Sequence, residues 1–189
     1  NQGGLDTGSV GDNTYHVFLI QRSDTGVVDV LFSLSATSPT MPTNYDRKRR
    51  IGSILRTGGA NRLFIQIGNR FMLAGGPIGI RNSTAATAGG TLVTTVAPFG
   101  VRVQPLLTSL LSMNSSSTAS NWISDGDGGA GNFIFQNVGA GQLDQVPIFG
   151  GIYTDLSARI NWSTTIGAGT IAANVLSSIG WIDSRGING

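Results

Sequence analysis

Apolar and polar positions alternate with period two through much of this chain, and turn-forming residues interrupt the alternation at short intervals. The run "TYHVFLI" (14–20) is followed by the turn "QRSDTG" and by "VVDVLFSLS" (27–35). This reads as a hairpin, with Asp24 and Gly26 supplying the turn chemistry. Successive side chains in a strand point to opposite faces, so Val28, Val30, Phe32 and Leu34 are predicted to share one face. "RRIGSILR" (49–56), "RLFIQIG" (62–68), with Leu63, Ile65 and Ile67 on one side, and "GNRFMLAGG" continue the pattern. "TLVTTV", "GVRVQPLLTSLLSM", "GNFIFQNV", "DLSARINWSTT" and "NVLSSIGWID" complete it, while residues 81–90, "SSSTAS" and "DGDGGAG" read as loops.

One segment admits two readings. In "QPLLTSLLSM", Leu106, Leu107, Leu110 and Leu111 fit a helical stripe as well as a buried strand. The strand is favoured because it prolongs the alternation of Val101 and Val103. The sum is about ten short strands separated by turn signals, the pattern of an all-β, jelly-roll-like antiparallel β-sandwich. No fixed-period repeat and no linker-like stretch is visible, so residues 1–189 are expected to form a single β-sandwich module.

Composition sharpens this. Charged residues make up 12% of the chain, about half the globular norm of roughly 25%. Every acid is Asp and every base except Lys48 is Arg, so the residues that solvate and pair helix surfaces are nearly missing. Cysteine is absent, which excludes disulfides and thiolate metal sites. No apolar run approaches the roughly 20 residues that span a bilayer as a helix, and no membrane insertion is expected. The chain opens on Asn1 with neither an initiator Met nor a signal-peptide pattern, and is expected to be a fragment or processed product of something longer.

Arg47, Lys48, Arg49 and Arg50 stand in a row behind the turn "SPTMPTNYD". On a strand, Arg49, Ile51, Ser53 and Leu55 point one way and Arg50, Gly52, Ile54 and Arg56 the other. Split between two faces, with Asp46 adjacent, only Tyr45 near for stacking, and a net charge of +2, the run lacks the footprint of a nucleic-acid site. It is read as architectural, pairing with carboxylates or coating a sheet edge. No nucleic-acid partner is expected.

These same residues carry a resemblance. "GLDTGSV", "YHVFLI", "DVLFS", "PTMPTNY", "RRIGSI", "PFGVRVQPLL" and "IGWIDSRG" resemble a C-terminal module of tail fibres and tail spikes, the virion attachment proteins of tailed bacteriophages. The match runs from residue 3 to residue 187, is more specific in the first half, and does not extend to 112–150. The resemblance implies a β-sandwich at the end of a homotrimeric fibre in the virion tail, attached to a bacterial surface glycan or outer-membrane receptor. It transfers no binding residues.

Candidate chemistry is sparse. In "DGDGG", Asp125 and Asp127 lie two apart, as calcium-loop carboxylates do, without the later ligands of an EF-hand; the other reading is a solvated glycine turn. No cofactor is expected beyond this calcium possibility. His16, the sole histidine, lies in phase with Phe18 and Ile20 and reads as a packed strand residue with a hydrogen-bonded ring rather than a member of a nucleophile triad. The "GAG" triplets at 139–141 and 167–169 are glycine turns without a dinucleotide-site context, and Asn82 and Asn161 begin glycosylation sequons. Of the aromatics, Trp162 and Trp181 read as core. Trp122 stays open between packing and stacking on a sugar ring.

The glycan reading groups Trp122, Asp125, Asp127, Asp144 and Tyr153 on two stretches, 112–131 and 139–153, taken as loops because loops on a rigid scaffold carry variable binding residues. Three functions follow in order: a non-enzymatic attachment module, a structural tip or trimerisation cap, and a polysaccharide depolymerase, whose required carboxylate pair nothing in the chain marks.

Overall fold

The computed structural model describes residues 4–114, 119–128, 132–134, 143–149, 151–167 and 169–185. The described residues are all-β: fifteen strands and no helix. The segment open to two readings is a strand, Gln104–Met113. Strands exceed the expected ten because Gly4–Leu5, Ala60–Asn61, Ile78–Asn82, Ala119–Asp125 and Leu143–Phe149 were not read as strands; the first two span only two residues each, too short to show a period in sequence.

The chain divides into two compact units, residues 1–63 with 183–189, and residues 64–182. No linker announces the division, since the first boundary falls inside "RLFIQI" and the second directly after a strand.

The first unit is one five-stranded sheet. Its strands are β1 (Gly4–Leu5), β2 (Thr14–Gln21), β3 (Val28–Ser33), β4 (Arg47–Thr57) and β5 (Ala60–Asn61), in the order β1-β3-β2-β4-β5. The β1–β3 pair is parallel and the rest are antiparallel. The expected β2–β3 hairpin forms, with Gly26 at φ 73° and its N–H on the Arg22 carbonyl. Phe18, Ile20 and Leu31 face inward and pack with Tyr45, and Met41 joins them. A turn with Asn44 at φ 69° brings Tyr45 over this face, its N–H bonded to the Pro42 carbonyl.

On β3, Val28, Val30 and Phe32 share one face as expected, and it is the outer one; on β4 the expected faces are corrected. On β3 the buried positions are Leu31 and Ser33, while Val28 is 57% and Val30 36% exposed. The inner face is chosen by Phe18 and Ile20 of β2, and it tolerates polar residues because His16 Nδ1 meets Ser53 Oγ at 2.9 Å. His16 is thus a buried, hydrogen-bonded strand residue. On β4 the alternation slips: β2 pairs Val17 with Gly52 and Phe18 with Arg50, leaving Ile51 as a bulge. Arg50 therefore moves to the face of Ser53, whose Oγ lies 3.3 Å from its guanidinium.

The second unit is an antiparallel sandwich. Its larger sheet contains β6 (Phe64–Ile67), β7 (Arg70–Leu73), β8 (Ile78–Asn82), β10 (Gln104–Met113), β13 (Leu143–Phe149) and β15 (Ile171–Ile182). It runs β13-β10-β15-β7-β6, with β8 also on β15. The smaller sheet runs β12 (Asn132–Ile134), β11 (Ala119–Asp125), β14 (Arg159–Ile166) and β9 (Thr87–Thr94). Leu107, Ile148 and Leu176 of the first sheet meet Val93, Ile123, Ile160 and Trp162 of the second in one core, which is what makes this unit a sandwich. Trp181 is fully buried as well, stacked on Phe71 at 5.2 Å between ring centroids. Residues 81–90, read as loop, instead contain the end of β8 and the start of β9.

Candidate functional site

The stretches 112–131 and 139–153 were expected to be loops, and the structure corrects this. Ala119–Asp125 is β11 and Leu143–Phe149 is β13, while Asn132–Ile134, β12, falls in the segment "GNFIFQNV" that was expected to be a strand. Residues 115–118, 129–131, 135–142 and 150 of this region, with the first GAG triplet, lie outside the described residues, as do residue 168 of the second triplet and the end of the resemblance beyond 185. Small residues concealed Ala119–Asp125, because serine and asparagine carry little strand propensity in themselves.

On β11 the alternation buries Ala119, Asn121 and Ile123 and turns Ser120, Trp122 and Ser124 outward. On β14 it buries Ile160, Trp162 and Thr164 and leaves Asn161 and Ser163 outward. The register sets Trp122 opposite Ser163 and Ser124 opposite Asn161. Beyond β14 the chain runs through Gly89 and Gly90 of β9, at φ 88° and 85°. A side-chain carbon on Gly90 would fall 2.3 Å from Asn161 Oδ1, so the glycine is what lets the amide lie across β9. Ser163 Oγ donates to the Thr87 carbonyl at 3.1 Å. The outcome is a groove of about 200 Å³ on the outer face of the smaller sheet, with Trp122 on one side and Gly89, Gly90, Asn161 and Ser163 on the other. Among the described residues no ionisable side chain lines it. An indole offers an apolar face, and the amide and hydroxyls offer donors and acceptors at its edge.

Asp125, Asp127 and Tyr153 gather elsewhere, at the end of β11. Asp125 Oδ1 accepts the Tyr153 N–H at 2.7 Å, and its Oδ2 lies 3.4 Å from Arg102. Asp127 meets the same guanidinium at 3.2 Å. Arg102 also stands 5.9 Å from the Tyr153 ring centroid, and Gln104 Nε2 donates to the Tyr153 hydroxyl at 2.8 Å. A side-chain carbon on Gly126 would strike the Arg159 carbonyl at 2.1 Å, which explains a glycine in this turn. Arg102 thus stands where a cation shared by both carboxylates would sit, and among the described residues no group of three or more His, Cys, Asp or Glu is placed to hold a metal ion.

Asp155 anchors the adjoining turn. Burial pushes its carboxyl up, but the backbone N–H and guanidinium of Arg159 and the N–H of Ser157 outweigh that and hold it below its ordinary value.

Asp144 does not join either group. It lies on β13 in register with Leu111 of β10, whereas Tyr153 bonds Gln104 of the same strand. Seven residues of strand at roughly 3.3 Å each separate these levels by about 23 Å. Sequence reasoning found Trp122 but missed Ser124, Asn161, Ser163, Gly89, Gly90 and Arg102. The signal for the first three was present: alternation of "ASNWISD" against "RINWSTTI" leaves those residues on one face.

No family model matches the chain, and no curated protein matches it. Among solved structures, a match is found to the "Structure of infectious bursal disease virus Gx strain", at 12% identity and a TM-score of 0.27. It covers 94% of this chain and 54% of that one, so the chain spans about half the length of its match. A likeness of that size carries neither a fold nor a role.

Proposed function

We propose that this chain is a non-enzymatic attachment module of a virion and that it holds an uncharged surface glycan in the groove beside Trp122. The observation that carries the reading is the cross-strand row on the smaller sheet: an indole opposite a serine, with an asparagine and a second serine beside them and a glycine floor. Sugar rings present apolar faces to stack on such an indole and hydroxyls to meet the amide and the serines. The lining among the described residues carries no charge, which favours neutral sugars, since burying an unpaired carboxylate there would be costly.

The virion setting and the homotrimer come from the resemblance of "GLDTG", "YHVFLI", "PTMPTNY" and "RRIGSI" to tail fibre and tail spike modules. Ile65 and Ile67 are 61% and 70% exposed on β6, the edge strand of the larger sheet, and such a surface is the kind that subunits cover. One shallow groove gives weak affinity, and copies on a shared fibre raise it through effective concentration.

The test is titration of host-surface oligosaccharides against the wild-type chain, Trp122→Ala and Trp122→Phe. Trp122→Ala is expected to weaken binding at least about tenfold, equivalent to about 1.4 kcal/mol, with Trp122→Phe in between. Equal binding by a folded Trp122→Ala variant removes the groove, and absence of any glycan binding leaves the structural tip in its place.

A further inference from the structure

We propose that the Arg47–Arg50 half of β4 is a docking edge for an extended acidic segment of another polypeptide, which adds to the sheet as its next strand. Three observations converge on it. First, β4 is paired on one side by β2 along its length, but on the other side β5 reaches only Arg56 and Thr57. Arg185 caps the Ile51 carbonyl at 3.3 Å, and among the described residues no strand pairs Arg47–Arg50 on that side. A strand edge of this kind offers backbone donors and acceptors that another strand satisfies.

Second, the bases complete rows that cross the sheet. On the outer face the register gives Val30–Leu19–Arg49 and Val28–Gln21–Arg47, each row ending in an arginine at the edge. Directly opposed side chains on neighbouring strands interact, so an added strand with carboxylates at alternate positions would extend both rows by an ion pair. A groove of about 240 Å³ lies here, lined by Leu19, Val28, Arg47, Lys48 and Arg49 among others.

Third, the local carboxylates are already engaged. Asp24 is bridged by Arg22 at 2.7 Å, and Asp46 accepts the Ser23 N–H and hydroxyl. The Ser23 hydroxyl and N–H hold the Asp46 carboxyl low, Arg47 adds to this without bridging it, and Arg47, Lys48 and Arg49 are exposed and bridge no carboxylate among the described residues.

A protein strand fits better than a nucleic acid or a sulfated polysaccharide. The bases are divided between faces, with Lys48 opposite the inward Ile20, and the outer rows run into valine and leucine instead of further cations. Charges on an edge also discourage pairing of like edges, so the same residues that disfavour β4-to-β4 pairing of two copies select an acidic partner.

The experiment uses the whole chain and a fluorescent synthetic peptide of alternating valine and aspartate. A second peptide of the same composition has its aspartates clustered at one end, and single-stranded DNA and a sulfated polysaccharide serve as polyanions. Expected results are saturable binding of the alternating peptide and slowed amide exchange at Arg47–Arg50. Arg47→Ser with Arg49→Ser should weaken binding about tenfold or more, and Arg47→Glu with Arg49→Glu should shift preference to a valine–lysine peptide. Circular dichroism checks the fold of each variant. The proposal is overturned if the alternating peptide does not bind, if the clustered peptide or a polyanion binds as well, or if exchange at Arg47–Arg50 is unchanged.

Discussion

Arg50 and Asp183 lock together through two parallel hydrogen bonds, NH1 to Oδ2 at 2.6 Å and NH2 to Oδ1 at 2.8 Å. Their side chains are 12% and 1% exposed. The pair ties the bulged strand β4 to the segment after β15, across 133 residues of sequence. Removing one partner from a buried pair strands the other's charge, at a cost of about 3 kcal/mol. Asp183→Asn and Arg50→Ala are each expected to lower the urea midpoint accordingly. Arg50→Met with Asp183→Leu should recover most of the loss, because no unpaired charge remains. Two single-variant losses that add in the double variant would contradict this.

Arg50 also shows where the sequence was legible and where it was not. The architectural reading of the basic run describes Arg50, yet its face was assigned wrongly, because a one-residue bulge leaves no mark in an alternating pattern. Which face of β3 is buried was not legible for a related reason. A binary pattern prefers Val28, Val30 and Phe32 over Leu31 and Ser33, but burial was decided by the strands beside it, where His16 and Ser53 satisfy each other. Long apolar strands such as Gln104–Met113, and the burial of Trp162 and Trp181, were readable because nothing on their neighbours competes. The site was half readable. Trp122 stood out as a residue type, while its partners depend on strand register and Asp144 was grouped with it by sequence proximity alone.

A buried polar cluster joins the two sheets of the sandwich. Asn121 Nδ2 donates to Asn174 Oδ1 at 3.1 Å, Thr164 Oγ1 donates to Asn121 Oδ1 at 2.9 Å, and Trp162 Nε1 donates to Thr164 Oγ1 at 3.0 Å. All four side chains are fully buried. Truncating one member leaves others unsatisfied, at about 1–3 kcal/mol each. Asn121→Ala and Asn174→Ala are each expected to cost about 2–3 kcal/mol, and the double variant less than their sum, because the two share partners. Chemical denaturation of the four proteins in the cycle gives the coupling, and strict additivity would count against a cooperative cluster.

Asp155 makes an acid-sensitive contribution to the turn beside the Arg102 cluster. Its carboxyl is held below its ordinary value in the folded chain, so the stabilisation is full above the unfolded value of about 3.9. It is lost as pH falls through the lower folded value. Asp155→Asn should therefore be less stable than wild type by about 2 kcal/mol at pH 7. The gap should narrow as pH drops below about 4. Paired urea titrations across that range check it; a gap independent of pH would assign the effect to packing instead of charge.

Gly90 offers a way to close the Trp122 groove without touching the indole. At φ 85° an alanine is strained, and its side-chain carbon would fall 2.3 Å from Asn161 Oδ1 and 2.8 Å from Nδ2. The obstacle is a side chain, so Asn161 can swing aside, and the direction open to it is the groove it borders. Gly90→Ala is expected to cost somewhat more than about 1 kcal/mol from the backbone conformation, and to abolish glycan binding because the displaced amide both loses its position and occupies the space. Asn161→Ala should relieve the clash when combined with Gly90→Ala, restoring part of the stability. It should not restore binding, because the amide that meets the sugar hydroxyls is gone. Thermal unfolding and glycan titration of the two single variants and the double variant separate these effects. Full binding by Gly90→Ala would mean that the sugar does not enter beside Asn161.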